Sequence, residues 1–269
     1  MRAYRFNTTN GRLGLIALML SLASVASADS AASADGASPL GSALNTAEQS
    51  VSAEQRMSPR QVMSPAQIHQ ALSKIVATFN THAQGLDLQE PARVGRFMAF
   101  VSSSLAKHWD TRDMAIRLLG AQAFGALSGL EQRQICARLE TTFHRYALEV
   151  VDEYRQSPMV LMSELVAADE TGLWRVKIRA KPRILPAMTG ELFIKVGNAG
   201  WAIVDAGYAG FTYVSIKDGS YQREFARHGV VGLLAWLDEK NIEFFSNYCR
   251  QELVSVMPVA VSDVCRASM

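Results

Sequence analysis

The feature that most constrains the fold is a change of period near residue 160. Between Ser128 and Tyr154 the apolar residues Ile135, Leu139, Phe143, Tyr146 and Val150 recur at three- and four-residue steps, which places them on one face of a helix. Ser128 followed three positions on by Glu131 marks its start, because each side chain can satisfy the other residue's free backbone N–H. Pro158 marks the limit of its end. From Trp174 the period drops to two. Trp174, Val176, Ile178 and Ala180 point one way, and Arg175, Lys177, Arg179 and Lys181 point the other. One segment cannot satisfy both periods, so helices and sheet are separated along the chain.

The flanking segments extend this division. Pro65 opens a helix with Ser64 as its cap, carrying the stripe Ile68, Leu72, Ile75, Val76 and Phe79. A second helix is expected over 91–108, with Val94, Phe97, Met98, Val101 and Leu105 on one face, and a short third over 112–119, stopped by Gly120. Strands are expected over 159–168, 191–196 and 201–208, with 211–216 continuing the last after a kink at Gly210. Reversals fall at 169–172 and at Gly197-Asn198-Ala199-Gly200. Helix returns after Asp218, with Tyr221, Phe225, Leu233, Leu234 and Leu237 on a face broken at Gly229. Helices, a strand meander and helices again imply an α+β domain, its bent antiparallel sheet of four to five strands enclosing a concave space against the helices.

The N-terminus reads as an address rather than as part of that domain. Arg2, Arg5 and Arg12 precede an apolar run from Leu13 to Val25 that ends in Ala26-Ser27-Ala28, the small-x-small pattern cut by signal peptidase. The run is too short and too serine-rich for a membrane anchor. Cleavage after Ala28 leaves 24 Lys+Arg against 25 Asp+Glu, from 27 and 25 in the whole chain. A nearly neutral exported protein gives no electrostatic reason to expect a nucleic-acid partner. Residues 29–64 are small and polar and read as a flexible leader. The domain is expected over 65–241, with a C-terminal extension over 242–269. Of the three cysteines, Cys249 and Cys265 are close enough in the tail to close a small loop, with free thiols the other reading.

Known catalytic patterns are missing. There is no GxSxG elbow, HExxH pair, Walker loop or GxGxxG after a strand, so neither an enzyme, a cofactor nor a metal is expected. His69, His82, His108, His144 and His228 are scattered and are expected on helix surfaces or ends. Asp205 interrupts an apolar strand. It reads either as a general base or as a hydrogen-bonding residue at a strand end. The basic row Arg175, Lys177, Arg179 and Lys181 reads either as a solvated face or as a docking surface for an acidic partner or anionic headgroups.

Two segments supply a resemblance. The first is Leu119-Gly120 with Glu131-Gln132 and the helix bearing Phe143 and Tyr146. The second runs Ile203-Val204-Asp205-Ala206-Gly207-Tyr208-Ala209-Gly210-Phe211-Thr212-Tyr213-Val214, then Tyr221-Gln222-Arg223-Glu224-Phe225, Gly229 and Leu233-Leu234-Ala235-Trp236-Leu237-Asp238-Glu239-Lys240-Asn241. Over 64–241 the chain resembles the MlaC-like, or toluene-tolerance auxiliary, family. Thr212 and Gln222 depart from the family's usual serine and arginine.

The resemblance implies a soluble periplasmic carrier. Such proteins hold phospholipid acyl chains in a deep cavity, in a cone-like α+β fold of NTF2 type. They pass lipid between an outer-membrane lipoprotein complex and an inner-membrane ABC transporter with MCE-type rings. Some relatives occur with hopanoid-biosynthesis proteins, which implies a hopanoid as the other cargo. On that reading Val176, Ile178, Phe193 and Val204 form one cavity wall, and Tyr146, Val150, Phe211, Phe225 and Leu234 another. A cone-shaped enzyme using Asp205 as base, and a non-catalytic envelope interaction module, remain as alternatives.

Overall fold

A computed structural model describes residues 63–154, 158–162, 165–166, 172–181, 186–197, 200–246, 248–249, 254, 257 and 259–268. The signal and nearly all of the leader lie outside these residues, as do parts of the two expected reversals.

The first helix, α1 (Pro65–Gln84), begins where its chemistry says it should. Ser64 Oγ accepts the Gln67 N–H, Gln67 returns the bond to the Ser64 N–H, and Pro65 sits in the first turn, where it has no N–H to waste. The second helix is shorter than its pattern. α2 (Pro91–Phe100) passes into a π turn over Val101–Leu105 and a 3₁₀ turn over Ala106–His108. Then follow α3 (Thr111–Leu119), α4 (Ala121–Gly125) and α5 (Gly129–Tyr154). At the head of α5 the Ser128 N–H donates to the Glu131 carboxylate and the Glu131 N–H donates to Ser128 Oγ.

The sheet is α+β in the expected sense, with five antiparallel strands in sequential order. They are β1 (Val160–Leu161), β2 (Trp174–Ala180), β3 (Met188–Gly197), β4 (Gly200–Tyr208) and β5 (Phe211–Thr212). Val176 pairs with Leu192, Ile178 with Gly190 and Ala180 with Met188, so these residues share the face of the expected apolar comb. Between β3 and β4 the register slips. Phe193 pairs with Asp205 but Ile194 with Ile203, which leaves Val204 as an extra residue and bends the sheet. Gly207 has to be glycine on steric grounds, since a Cβ there would stand 2.7 Å from the Phe211 carbonyl oxygen.

The expected strand over 211–216 is corrected by the structure. β5 ends at Thr212, and Tyr213 opens the long helix α6 (Tyr213–Phe245). Thr212 caps it: its hydroxyl oxygen accepts the Ser215 N–H, while Ser215 Oγ accepts the Thr212 N–H. Gly229, at φ 64°, breaks the helix at the position its pattern indicated.

Three apolar clusters hold these elements. Ile68, Leu72, Val176, Ile194 and Ile203 join the start of α1 to the sheet. Met114, Leu118, Ile135, Leu139, Leu233 and Leu237 join α3, α5 and α6. The third cluster unites Phe79, Val94, Phe97, Leu148 and Phe245 with Val261 and Cys265 of α7 (Val259–Ser268). The tail is therefore built into the core. A Cys249–Cys265 disulfide ties it down, which settles the two open readings of that pair.

Candidate functional site

Between the inner face of the sheet and the helices the core is left unfilled, forming a cavity of about 220 Å³. A dry apolar void of roughly 150 Å³ already admits a benzene ring, so this one has room for an apolar guest. α1 contributes Leu72, Ile75, Val76 and Phe79 to its wall. The α2-to-α3 connection supplies Val101, Leu105, Ala106 and Trp109. Phe143, Tyr146, Ala147 and Val150 come from α5, and Ile178, Ala180, Met188, Leu192, Ile203 and Ala206 from the sheet.

Strand register sets the two ends. At one end Trp109 stacks on Phe143 with ring centroids 4.5 Å apart, beside Ile203 and Leu72. At the other the wall is made by Ala180, Met188, Tyr208 and Phe211, which the pairings Ala180–Met188 and Tyr208–Phe211 bring to one edge of the sheet. Phe211 is 57% exposed, and it marks the mouth.

Two of the polar side chains in the wall, Tyr146 and Tyr213, meet each other and Tyr221 behind them. The Tyr213 and Tyr221 hydroxyls are 3.2 Å apart, and the Tyr213 and Tyr146 rings meet edge to face at 5.9 Å. Burial raises the pKa of all three phenols, so they stand neutral. Behind them lies a charged cluster between α5 and α6. The Arg145 guanidinium covers the Tyr146 ring, donates to the Lys240 carbonyl and lies 3.7 Å from Glu149. Burial pushes the Glu149 carboxyl up to about 7 against the opposing pull of Arg145 and Lys217, and burial lowers Lys217.

Of the residues expected to line a lipid site, Tyr146, Val150, Ile178 and Phe211 are in this wall. The other five are elsewhere. Val176 is on the cavity face of β2 but lies in the cluster with Ile68 and Leu72 of α1, which close the sheet there. Phe193 is on the opposite sheet face, against Gly207, because the alternation that puts Leu192 inside puts Phe193 outside. Val204 is buried at the bulge. Phe225 and Leu234 pack between α6 and the α3–α5 layer. Sequence reasoning missed Leu72, Ile75, Val76 and Phe79, although they form the apolar stripe of α1.

Asp205 is also outside the wall. Its buried carboxylate accepts the N–H groups of Ala206 and Val214 and lies 3.5 Å from Arg117. Burial raises its pKa, offset in part by Thr212, Val214, Ala206 and Arg117. It thus fastens β4 to the first turn of α6 and to α3. Among the histidines, His144 corrects the surface expectation: it is fully buried. The Glu140 carbonyl can only accept, so Nδ1 carries the proton and Nε2 accepts the Ser102 hydroxyl at 2.7 Å. Burial lowers the His144 pKa, keeping the ring neutral as it ties the π turn to α5. Among the described residues no group of three or more His, Cys, Asp or Glu is arranged to hold a metal, and no helix is long and apolar enough to cross a membrane.

No known family profile and no curated protein matches this sequence. Its three-dimensional structure is similar to that of the phospholipid-binding protein from Ralstonia solanacearum, solved in complex with a phospholipid. The TM-score is 0.53 at 17% identity, over 67% of this chain and 97% of the other. The two share a fold. At that identity the likeness is carried by the arrangement of helices and sheet rather than by the sequence.

Proposed function

We propose that this protein binds a phospholipid or a hopanoid-type lipid by its apolar chains and carries it through the periplasm without chemical conversion. The observation behind this reading is the apolar cavity with one exposed aromatic at its mouth, in a fold shared with a phospholipid-binding protein. Each methylene removed from water contributes about 0.8 kcal/mol, so a 16-carbon chain amounts to on the order of 10 kcal/mol. An apolar cavity offsets that cost, and an open end leaves the headgroup in water and gives the lipid a way out. The N-terminal signal pattern supports an exported protein. On this reading the lipid is exchanged with an inner-membrane MCE/ABC transporter and an outer-membrane lipoprotein complex.

The catalytic alternative has less support, because Asp205 is held by Arg117 and two backbone N–H groups outside the cavity wall. The deciding experiment is native purification followed by extraction and lipid mass spectrometry. Near-stoichiometric lipid is expected. A folded sample that yields none, even after incubation with phospholipid vesicles, would overturn the proposal.

A further inference from the structure

The outer face of β1 and β2, opposite the cavity, combines two kinds of side chain that alternation alone did not bring together. Across the β1–β2 ladder Val160 stands opposite Arg179. The Met162 N–H donates to the Lys177 carbonyl, and Val166 and Arg175 exchange both backbone bonds at 2.9 Å. Val160, Met162 and Val166 are 54%, 49% and 56% exposed. They are three of the seven large apolar side chains that stand this far open among the described residues. Each borders a cation of the basic row, and Lys181 extends that row one residue beyond the strand. On the other side of β2, Glu191 faces Lys177 and Thr189 faces Arg179. Among the described residues the face is cationic with Glu191 as an acidic neighbour, and it is interleaved with apolar groups.

We propose that this face docks on an anionic lipid bilayer. A bilayer surface takes both components at once: lysine and arginine find phosphate headgroups, while short apolar side chains enter the headgroup–acyl boundary. A solvated face accounts for the cations but not for the valines and methionine between them. The row spans Arg175 to Lys181, about 20 Å at ~3.3 Å per residue. Its Lys181 end adjoins Ala180 and Met188 of the cavity mouth, so docking brings the mouth to the membrane surface. This inference concerns an outer surface and stands apart from whether the cavity holds lipid.

The test is cosedimentation of the purified protein with vesicles of phosphatidylethanolamine and phosphatidylglycerol (3:1) and of pure phosphatidylcholine. Binding is expected to the anionic vesicles only, and to fall steeply between about 0.1 and 0.5 M salt as charges are screened. At about fivefold per basic residue, the Arg179→Gln/Lys181→Gln pair should lower binding roughly 25-fold. Val160→Ser/Met162→Ser should lower it as well, with both variants keeping the wild-type circular dichroism spectrum. Equal binding to both vesicle types, wild-type binding by both variants, or binding to polyglutamate but not to vesicles would each overturn the proposal. Lipid content measured by mass spectrometry on the same samples keeps the two ideas apart. Vesicle binding without cavity lipid supports docking and counts against the carrier; cavity lipid without vesicle binding does the reverse.

Discussion

Ala147→Phe tests directly whether the cavity is a binding space or an imperfectly packed core. Ala147 is on α5 between Phe143 and Val150, half-buried and part of the wall. The substitution adds one phenyl ring, roughly the bulk of five or six methylenes, to a space of about 220 Å³. A lipid chain excluded by that amount loses about 4–5 kcal/mol of transfer energy at ~0.8 kcal/mol per methylene. At about 1.4 kcal/mol per tenfold, affinity falls on the order of a thousandfold. In the lipid-free protein the ring would bury roughly 100 Å² and contribute up to about 2.5 kcal/mol, less about 0.5 kcal/mol for phenylalanine in a helix. The unfolding free energy should then rise by zero to about 2 kcal/mol, or at most about 8 °C in melting temperature. The assay is lipid mass spectrometry of the natively purified variant, with thermal melting after delipidation. In a core already filled, the same ring would overpack and cost about 1–3 kcal/mol. A lowered melting temperature with wild-type lipid content would therefore refute the cavity assignment.

Three other predictions follow from buried charges and the tail. Asp205→Ala leaves the Ala206 and Val214 N–H groups without their acceptor, while Arg117 keeps its pairing with Asp113, and should cost about 2–3 kcal/mol in urea unfolding; unchanged stability would show that the carboxylate is not structural. Glu149 has its pKa raised from 4.5 to about 7, so the folded state holds its proton more tightly than the unfolded state. Its contribution is complete below about pH 4.5 and is lost as pH rises to about 7, a decline on the order of 2–3 kcal/mol that Glu149→Gln should flatten; parallel stability-versus-pH curves for the two proteins would contradict this. Replacing Cys249 and Cys265 together by serine opens a loop closed over a separation of 16 residues and should cost about 3 kcal/mol in denaturant titrations, with reduced wild-type protein behaving alike; full stability of the double variant would mean that packing of α7 alone holds the tail.

The parts of the fold that could be read from sequence are those fixed by local chemistry. Ser64 with Gln67 and Ser128 with Glu131 set helix starts through bonds spanning three residues, and alternation gave the two faces of β2. The start of α6 carried the same kind of signal, but with Ser215 in place of glutamate or glutamine, beside an apolar run 211–216 that also suits a strand. Of the nine expected lining residues, the five that lie elsewhere do so for other reasons. Alternation says which face Val176 occupies but not what covers it, and the cover, Ile68 and Leu72, lies more than a hundred residues upstream. A single bulge at Val204 separates β4 into two registers, which no periodicity shows. Phe225 and Leu234 are on a helix whose face changes at Gly229, so their apolar character did not reveal their neighbours.

The placement of polar groups around the cavity bears on how it stays empty enough to bind. A void lined wholly by flexible aliphatic side chains would be free to collapse, which limits the energetic cost of a cavity to the part that cannot relax. Here the wall is braced from behind. Arg145 fixes Tyr146 and reaches the Lys240 carbonyl, His144 pins the π turn to α5 through Ser102, and Asp205 joins β4 to α6 and α3. His144 and Asp205 are buried and Arg145 is half-buried, and each would leave an uncompensated polar group if the wall moved inward. Sheet, π turn and α5 are therefore held in place by groups outside the cavity wall, while Phe211 at the mouth stands exposed. A wall fixed from behind and an end open at an exposed aromatic are what a site needs in order to keep its volume and still release its contents.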